Sequence, residues 1–440
     1  MTAVERRRPP LLTTFLGYTG TFVVEHITTH LPTNLRWAVA GRSETKLRQL
    51  VAECKKLGPD RLQPEIEICS VNNEDLEALA RKTYILLTTV GPYAQYGEDA
   101  FKACAENGTH YLDVTGEIPW TGTMITRYDS VARETGAMMF PQIGIESAPP
   151  DLVTWLLAKE IRENLSAKTA AVTVSIHHLD AAPSGGTLAT ALGLFDSFTL
   201  SQVRAQHKPY ALSPVPNRNN VQSQTSLLTK LLGLRNVPDL GLMTTSIAGM
   251  TDAPIVQRTW GLLATLPSRE KQSYGPNFSF REYMRAKGYL RGIAIHWALA
   301  FFGLLLATAA PFRKLARMFV YQPGEGPDRE ASKKDEIEYR GVAIPDKESK
   351  TGYPKAFCRA WFNGSMYYSE SVLLACLDRM LTLSRKKKVT AVLMVQAAAT
   401  LLEEDVDLPG GVFTPSCLGQ PFIDRLQGAG FNFESKILEN

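Results

Sequence analysis

Two glycines three residues apart, Gly17 and Gly20, follow a short β-prone run from Leu11 to Leu16 and open an amphipathic segment from Thr21 to His30. A strand that turns through glycine into a helix brings backbone N–H groups up to a phosphate, and the helix dipole favours the anion. Gly17, Tyr18, Thr19 and Gly20 are therefore candidate binders of a dinucleotide pyrophosphate. A G-x-x-G pair alone is a weak motif, so its weight comes from the context behind it. Arg42 and Ser43 stand just past a second apolar strand, Leu35 to Ala40. NAD-binding chains place a carboxylate there to accept hydrogen bonds from the ribose hydroxyls, whereas arginine suits a 2′-phosphate. Arg42, with the Ser43 hydroxyl beside it, points to NADPH; the plainer reading is a surface arginine ahead of a helix. Val90, Gly91 and Pro92 follow a fourth strand, where a nicotinamide ribose would rest. Tyr93 comes next, with a phenol that either donates to the reacting centre or serves as an aromatic wall. Tyr96 and Tyr111 are weaker candidates of the same kind. Asp113 and Glu117 end a fifth strand and hold a ribose hydroxyl or organise the loop. Glu146 and Ser147 lie in a turn bounded by glycine and proline, and they are the candidate substrate contacts.

The elements that must position these residues alternate regularly. Strand patterns at 11–16, 35–40, 66–71, 84–89 and 109–113 are separated by helical patterns at 21–30, 44–56, 74–82 and 98–107. Short connections in that rhythm predict parallel βαβ units and a doubly wound α/β sheet of Rossmann type. Ligands bind beyond the carboxyl ends of such strands, and Gly17, Arg42, Gly91 to Tyr93, Asp113 and Glu117 all fall there. Past about Pro149 the rhythm changes to a long alternating strand, Ala170 to His178, then mixed strand, turn and helix. The expectation is an NADP-binding domain over residues 1–150 and an α+β substrate or oligomerisation domain over 151–440.

Composition narrows the function classes. The formal charge of +4 on 440 residues, without a basic stripe interleaved with aromatics, does not argue for nucleic acid. Six scattered cysteines form no C-x-x-C pair, as expected of a reduced intracellular protein. The seven histidines show no metal spacing, and no metal is expected. The first ten residues carry charge and proline rather than the apolar stretch of a secretory signal.

One segment stands apart. Gly292 to Phe312 is an uncharged run flanked by Arg291 and by Arg313, Lys314 and Arg317. It is long enough to span a bilayer. The open readings are a span, a helix lying in one leaflet, a buried core helix and a helix that forms a homodimer.

Several motifs together resemble the saccharopine dehydrogenase-like oxidoreductases, in particular the trans-acting enoyl reductases. They are G-Y-T-G at 17–20, A-G-R-S at 40–43, T-V-G-P-Y at 89–93, Y-L-D-V-T-G-E at 111–117 and G-I-E-S-A-P-P-D-L at 144–152. S-G-G-T at 184–187, P-G-E-G-P at 323–327 and G-G-V-F-T-P at 410–415 continue the resemblance through nearly the whole chain. It implies an NADPH-dependent reductase acting on the C=C bond of a polyketide- or lipid-derived acyl intermediate, free or carrier-bound, with a polyketide synthase as a partner. The alternatives are a C=N or C=O reductase on the same fold, and a non-catalytic membrane-associated binding protein derived from it. The first turn departs from the family's G-A-T-G-Y-T-G: Thr14 stands where the first glycine would be. A β-branched residue is penalised there if the position needs positive φ.

Overall fold

A computed structural model describes residues 12–15, 19–179, 192–217, 225–318, 336–347, 354–363 and 385–438. The first half forms a seven-stranded parallel sheet in the order β13-β6-β5-β4-β1-β2-β3. Its strands are β1 (Leu12–Phe15), β2 (Trp37–Gly41), β3 (Glu65–Ile68), β4 (Ile85–Thr88), β5 (His110–Asp113), β6 (Met138–Phe140) and β13 (Gly411–Val412). The central strands β2, β4 and β5 are buried along their whole length, as expected when helices cover both faces. Edge strand β3 instead exposes Glu65, a polar residue that discourages further pairing.

A second, mixed sheet has the order β14-β12-β11-β7-β10-β9-β8. It comprises β7 (Thr169–Leu179), β8 (Arg235–Val237), β9 (Gly241–Thr245), β10 (Ser279–Arg285), β11 (Glu336–Pro345), β12 (Lys355–Asn363) and β14 (Phe431–Leu438). The helix Ala148–Leu165 connects the two sheets and packs over β11 and β12. Gly341 in β11 permits that approach, because a Cβ there would lie 2.8 Å from both Val153 and Leu157. The α/β expectation with a second α+β unit therefore holds.

The C-terminal stretch returns to the first sheet. The helix Arg385–Glu403 packs on Gly20–His30, and β13 pairs with β6 as the seventh parallel strand. Arg258, buried on the helix Gly249–Thr265, ties the units together by donating to the carbonyls of Leu212 and Val412 at 2.6 Å each. This crossing has no periodicity for sequence reading to detect, since β13 is only two residues long.

The apolar segment is a helix, Tyr289–Thr308, that breaks at Ala309 before a second helix, Ala310–Arg317. Only Gly292 and Leu306 of the first helix are buried. The core-helix reading therefore fails, as most of this apolar surface is solvent-facing.

Candidate active site

β1 ends at Phe15, and the helix Gly20–His30 that follows has an N-cap, Thr19, that provides no side-chain cap. No acidic residue occupies the first turn, so nothing there repels a phosphate. Gly17 and Tyr18 lie outside the described residues, as do the 184–187 and 323–327 motifs. Thr14 is a buried strand residue, in register with Val39 of β2 and Leu87 of β4. Extended backbone is what a β-branched residue prefers, so the feared strain does not arise. Its hydroxyl has no hydrogen-bond partner among the described residues. Thr14→Val should therefore stabilise the chain by up to about 1 kcal/mol, and Thr14→Gly should destabilise it by roughly 1 kcal/mol. Urea unfolding midpoints read both. Tighter NADPH binding by Thr14→Gly would instead show that a glycine was missing.

Arg42 follows β2 and is exposed, with no hydrogen bond or ion pair among the described residues. Ser43 caps the helix Glu44–Leu57 by accepting from the Lys46 N–H at 3.4 Å, which leaves its own O–H to donate.

The end of β4 is held firmly. Glu117 accepts from the N–H groups of Tyr93 (2.8 Å) and Ala94 (2.9 Å), fixing the turn formed by Val90, Gly91 and Pro92. The Gly91–Pro92 bond is cis. The Tyr93 hydroxyl donates to the Thr88 carbonyl at 3.0 Å and accepts from the Val114 N–H at 3.3 Å. Burial, then the nearby Asp113, pushes that phenol far above its ordinary range. Tyr93 thus ties the β4 loop to the β5 loop, as a positioning residue with an aromatic face.

Asp113 braces the end of the neighbouring strand in a similar way. It accepts from the Thr115 and Gln142 N–H groups at 2.9 Å each and from the Tyr111 hydroxyl at 2.9 Å. Burial lifts its carboxyl to about 7 despite those bonds. A carboxyl raised from its ordinary 3.8 contributes stability that is full below that value and is lost as pH rises through 7. His177, lowered to about 4 by burial and then by Arg340 and Arg285, destabilises the fold only as pH falls below its ordinary 6.5. Above pH 6.5 the His177 effect is absent, and the raised carboxyls of Asp113, Asp151, Asp252 and Glu282 all act in the same direction. Asp113 alone should cost about 1 kcal/mol between about pH 6.5 and 8.5, a Tm fall of a few degrees, and Asp113→Asn should make the slope shallower by that amount. A Tm that rises over the window would contradict this assignment.

Glu146 and Ser147 sit where the two sheets meet. The Glu146 carboxylate lies against Gly116 of the β5 loop, since a Cβ there would stand 3.0 Å from its Oε2. The Ser147 hydroxyl is buried without a partner among the described residues. From the second unit, the Tyr339 hydroxyl on β11 donates to the Ile145 carbonyl at 3.1 Å. Asp252, in the first turn of Gly249–Thr265, and Glu282, on β10, complete the seam. Both are buried, and their carboxyls lie close enough for each to shift the other's titration. The Ser246 hydroxyl donates to Glu282 at 2.5 Å, while neither Asp252 carboxyl oxygen meets a donor among the described residues. Burial, then the Glu282 charge, holds Asp252 well above the carboxylate range, and burial raises Glu282 as well. Two carboxyls in that setting hold one proton between them.

Sequence reading missed this pair. A usable signal existed in β10, where Phe280, Glu282 and Met284 share one face by strand alternation, which puts a carboxylate in an apolar row. Asp252 gave none, because an acidic residue in a first helical turn is ordinary. A separate hollow lined by Tyr84, Met138, Glu404, Asp405 and Asp407 opens at the amino ends of β4 and β6. Its carboxylates would repel a pyrophosphate, and it lies at the wrong end of the strands for one.

The chain is similar to known proteins in sequence and in fold. Residues 15–140 match the family described as the saccharopine dehydrogenase NADP binding domain. A saccharopine dehydrogenase-like oxidoreductase from Rattus norvegicus is 28% identical over 433 residues, covering 95% of this chain and 94% of the relative. A trans-acting enoyl reductase from Mycobacterium bovis is 26% identical over 444 residues, 98% of each chain. In fold, the chain resembles apo saccharopine dehydrogenase (L-Glu forming) from Saccharomyces cerevisiae, with a TM-score of 0.52 over 98% of this chain and 100% of that one, at 12% identity.

Proposed function

We propose that this saccharopine dehydrogenase-like, NADP-dependent oxidoreductase reduces the C=C bond of an enoyl thioester from a polyketide- or lipid-building pathway. The supporting observation is the buried Asp252–Glu282 pair at the seam beyond the strand ends. The residues present fit the dinucleotide: an uncapped helix start at Thr19 and Gly20, an exposed Arg42 with Ser43, and the braced Val90–Gly91–Pro92 turn. NADPH, when bound, supplies a hydride to the β carbon.

The chain's own residues do the rest. Arg42 and Ser43 take the 2′-phosphate, and Glu117 and Tyr93 keep the β4 loop rigid for the nicotinamide ribose. Glu146 and Ser147 line the acyl site. The carboxyl proton shared by Asp252 and Glu282 goes to the α carbon: an O–H bond breaks, a C–H bond forms, and the negative charge that had built up on the thioester returns to the carboxyl pair. Glu146, partly open to solvent, lies on the route by which that pair regains a proton. The protonated carboxyl of the pair is a proton donor held in a dry site. The acyl chain arrives free or on a carrier, and a polyketide synthase is a fitting donor. The test is NADPH oxidation at 340 nm with octenoyl N-acetylcysteamine thioester, against an imine and a ketone of equal chain length. Turnover of the imine alone would overturn the reading.

A further inference from the structure

Three exposed apolar segments meet beside β9. The first is the helix Tyr289–Thr308, where Leu290, Trp297, Phe301 and Leu304 are 84%, 51%, 61% and 58% exposed. The second is the short helix Leu227–Leu232, with Leu227, Leu228 and Leu231 all exposed. The third is the turn after β9, with exposed Ile247 and Met250. Contacts join them around one residue. A Cβ on Gly233 would lie 2.2 Å from the His296 ring, and the Thr245 hydroxyl bonds His296 Nδ1 at 2.7 Å. Together these side chains expose on the order of 1,000 Å², above the few hundred Å² of the largest apolar patch on an ordinary soluble monomer.

Charge identifies the occupant. Residues 226–234, 246–251 and 287–315 contain no Asp or Glu. Lys230, Lys287, Arg291 and Lys314 are exposed within them. An apolar face ringed by cations without counter-charges complements an anionic phospholipid surface.

Both ends of the long helix are tied to the same globular body. Near its start, the Thr244 hydroxyl donates to the Gly292 carbonyl at 2.7 Å, alongside the Thr245–His296 bond. Just past its end, Arg313 pairs with Asp196 at 3.1 Å and donates to the Leu306 carbonyl at 2.8 Å. A spanning helix would carry one end about 30 Å away, across the bilayer. We infer that the chain docks on anionic phospholipid through this surface, with the Tyr289–Thr308 helix lying in the plane of one leaflet.

The test is flotation of the full chain with phosphatidylcholine vesicles, with and without 30% phosphatidylserine. Binding should be at least tenfold stronger with phosphatidylserine and fall severalfold between 0.1 and 0.5 M salt. Leu290→Glu, Phe301→Glu and Leu304→Glu together should abolish it without lowering Tm, since all three are exposed. Lys230→Glu, Arg291→Glu and Lys314→Glu together should remove only the phosphatidylserine preference. A chain that stays in solution with both vesicle types overturns the proposal. So does a dimer that these apolar substitutions dissociate while vesicle binding is unchanged, because the face would then belong to a second copy.

Discussion

Arg42→Ala weakens NADPH binding by roughly 10- to 100-fold and changes NADH binding less than twofold. The size follows from losing charge-assisted hydrogen bonds to the 2′-phosphate, worth about 1.5–3 kcal/mol, with 1.4 kcal/mol per tenfold. Arg42 is exposed and holds no other residue among those described, so its removal leaves no buried partner stranded. The fold and its Tm stay the same. Arg42→Lys keeps the charge but not the planar fork, so it should fall between wild type and alanine. Arg42→Asp should invert the preference, since a carboxylate at this place accepts from ribose hydroxyls and repels phosphate. Titrations of cofactor fluorescence measure all of these. Equal losses for NADPH and NADH would place Arg42 outside the phosphate site.

Asp252→Asn and Glu282→Gln each lower turnover by about 100-fold or more and leave the NADPH dissociation constant unchanged. General acid groups contribute about 10²–10⁴ in rate, which sets the scale. Neither residue is among those assigned to the phosphate or ribose, so cofactor affinity is the internal control. A pH profile separates proton donation from a purely structural role. Asp252 faces Glu282 on β10, Glu146 in the loop after β6, Asp151 on Ala148–Leu165 and Tyr339 on β11. All of these are acids, which raises the pH at which the pair gives up its proton, and turnover should fall on the alkaline side as that proton is lost. The amide variants should lack that limb. A normal alkaline limb with reduced Tm would make the pair a packing feature.

The first sheet was legible because its chemistry and its pattern coincide. Apolar runs at β2, β4 and β5 end in Arg42, Gly91 and Asp113, and each end lands where parallel strands present ligands. Thr14 was harder, because the penalty depends on φ, which the sequence does not state; the strand pairing to Val39 and Leu87 settles it as extended. Tyr93 looked like a donor by type and position, yet its hydroxyl is engaged by two backbone groups, a fact of tertiary distance. The Asp252–Glu282 pair joins residues thirty positions apart on a helix and a strand, and only folding brings them face to face. The Tyr289–Thr308 helix could be recognised by composition, but its burial depends on what surrounds it.

NADPH oxidation with a series of enoyl thioesters of increasing chain length tests the central claim most directly. The proposed reaction predicts saturable oxidation with NADPH over NADH, and solvent deuterium placed at the α carbon of the saturated product. No oxidation of any thioester by a chain that binds NADPH, alongside turnover of a C=N or C=O substrate, would contradict it.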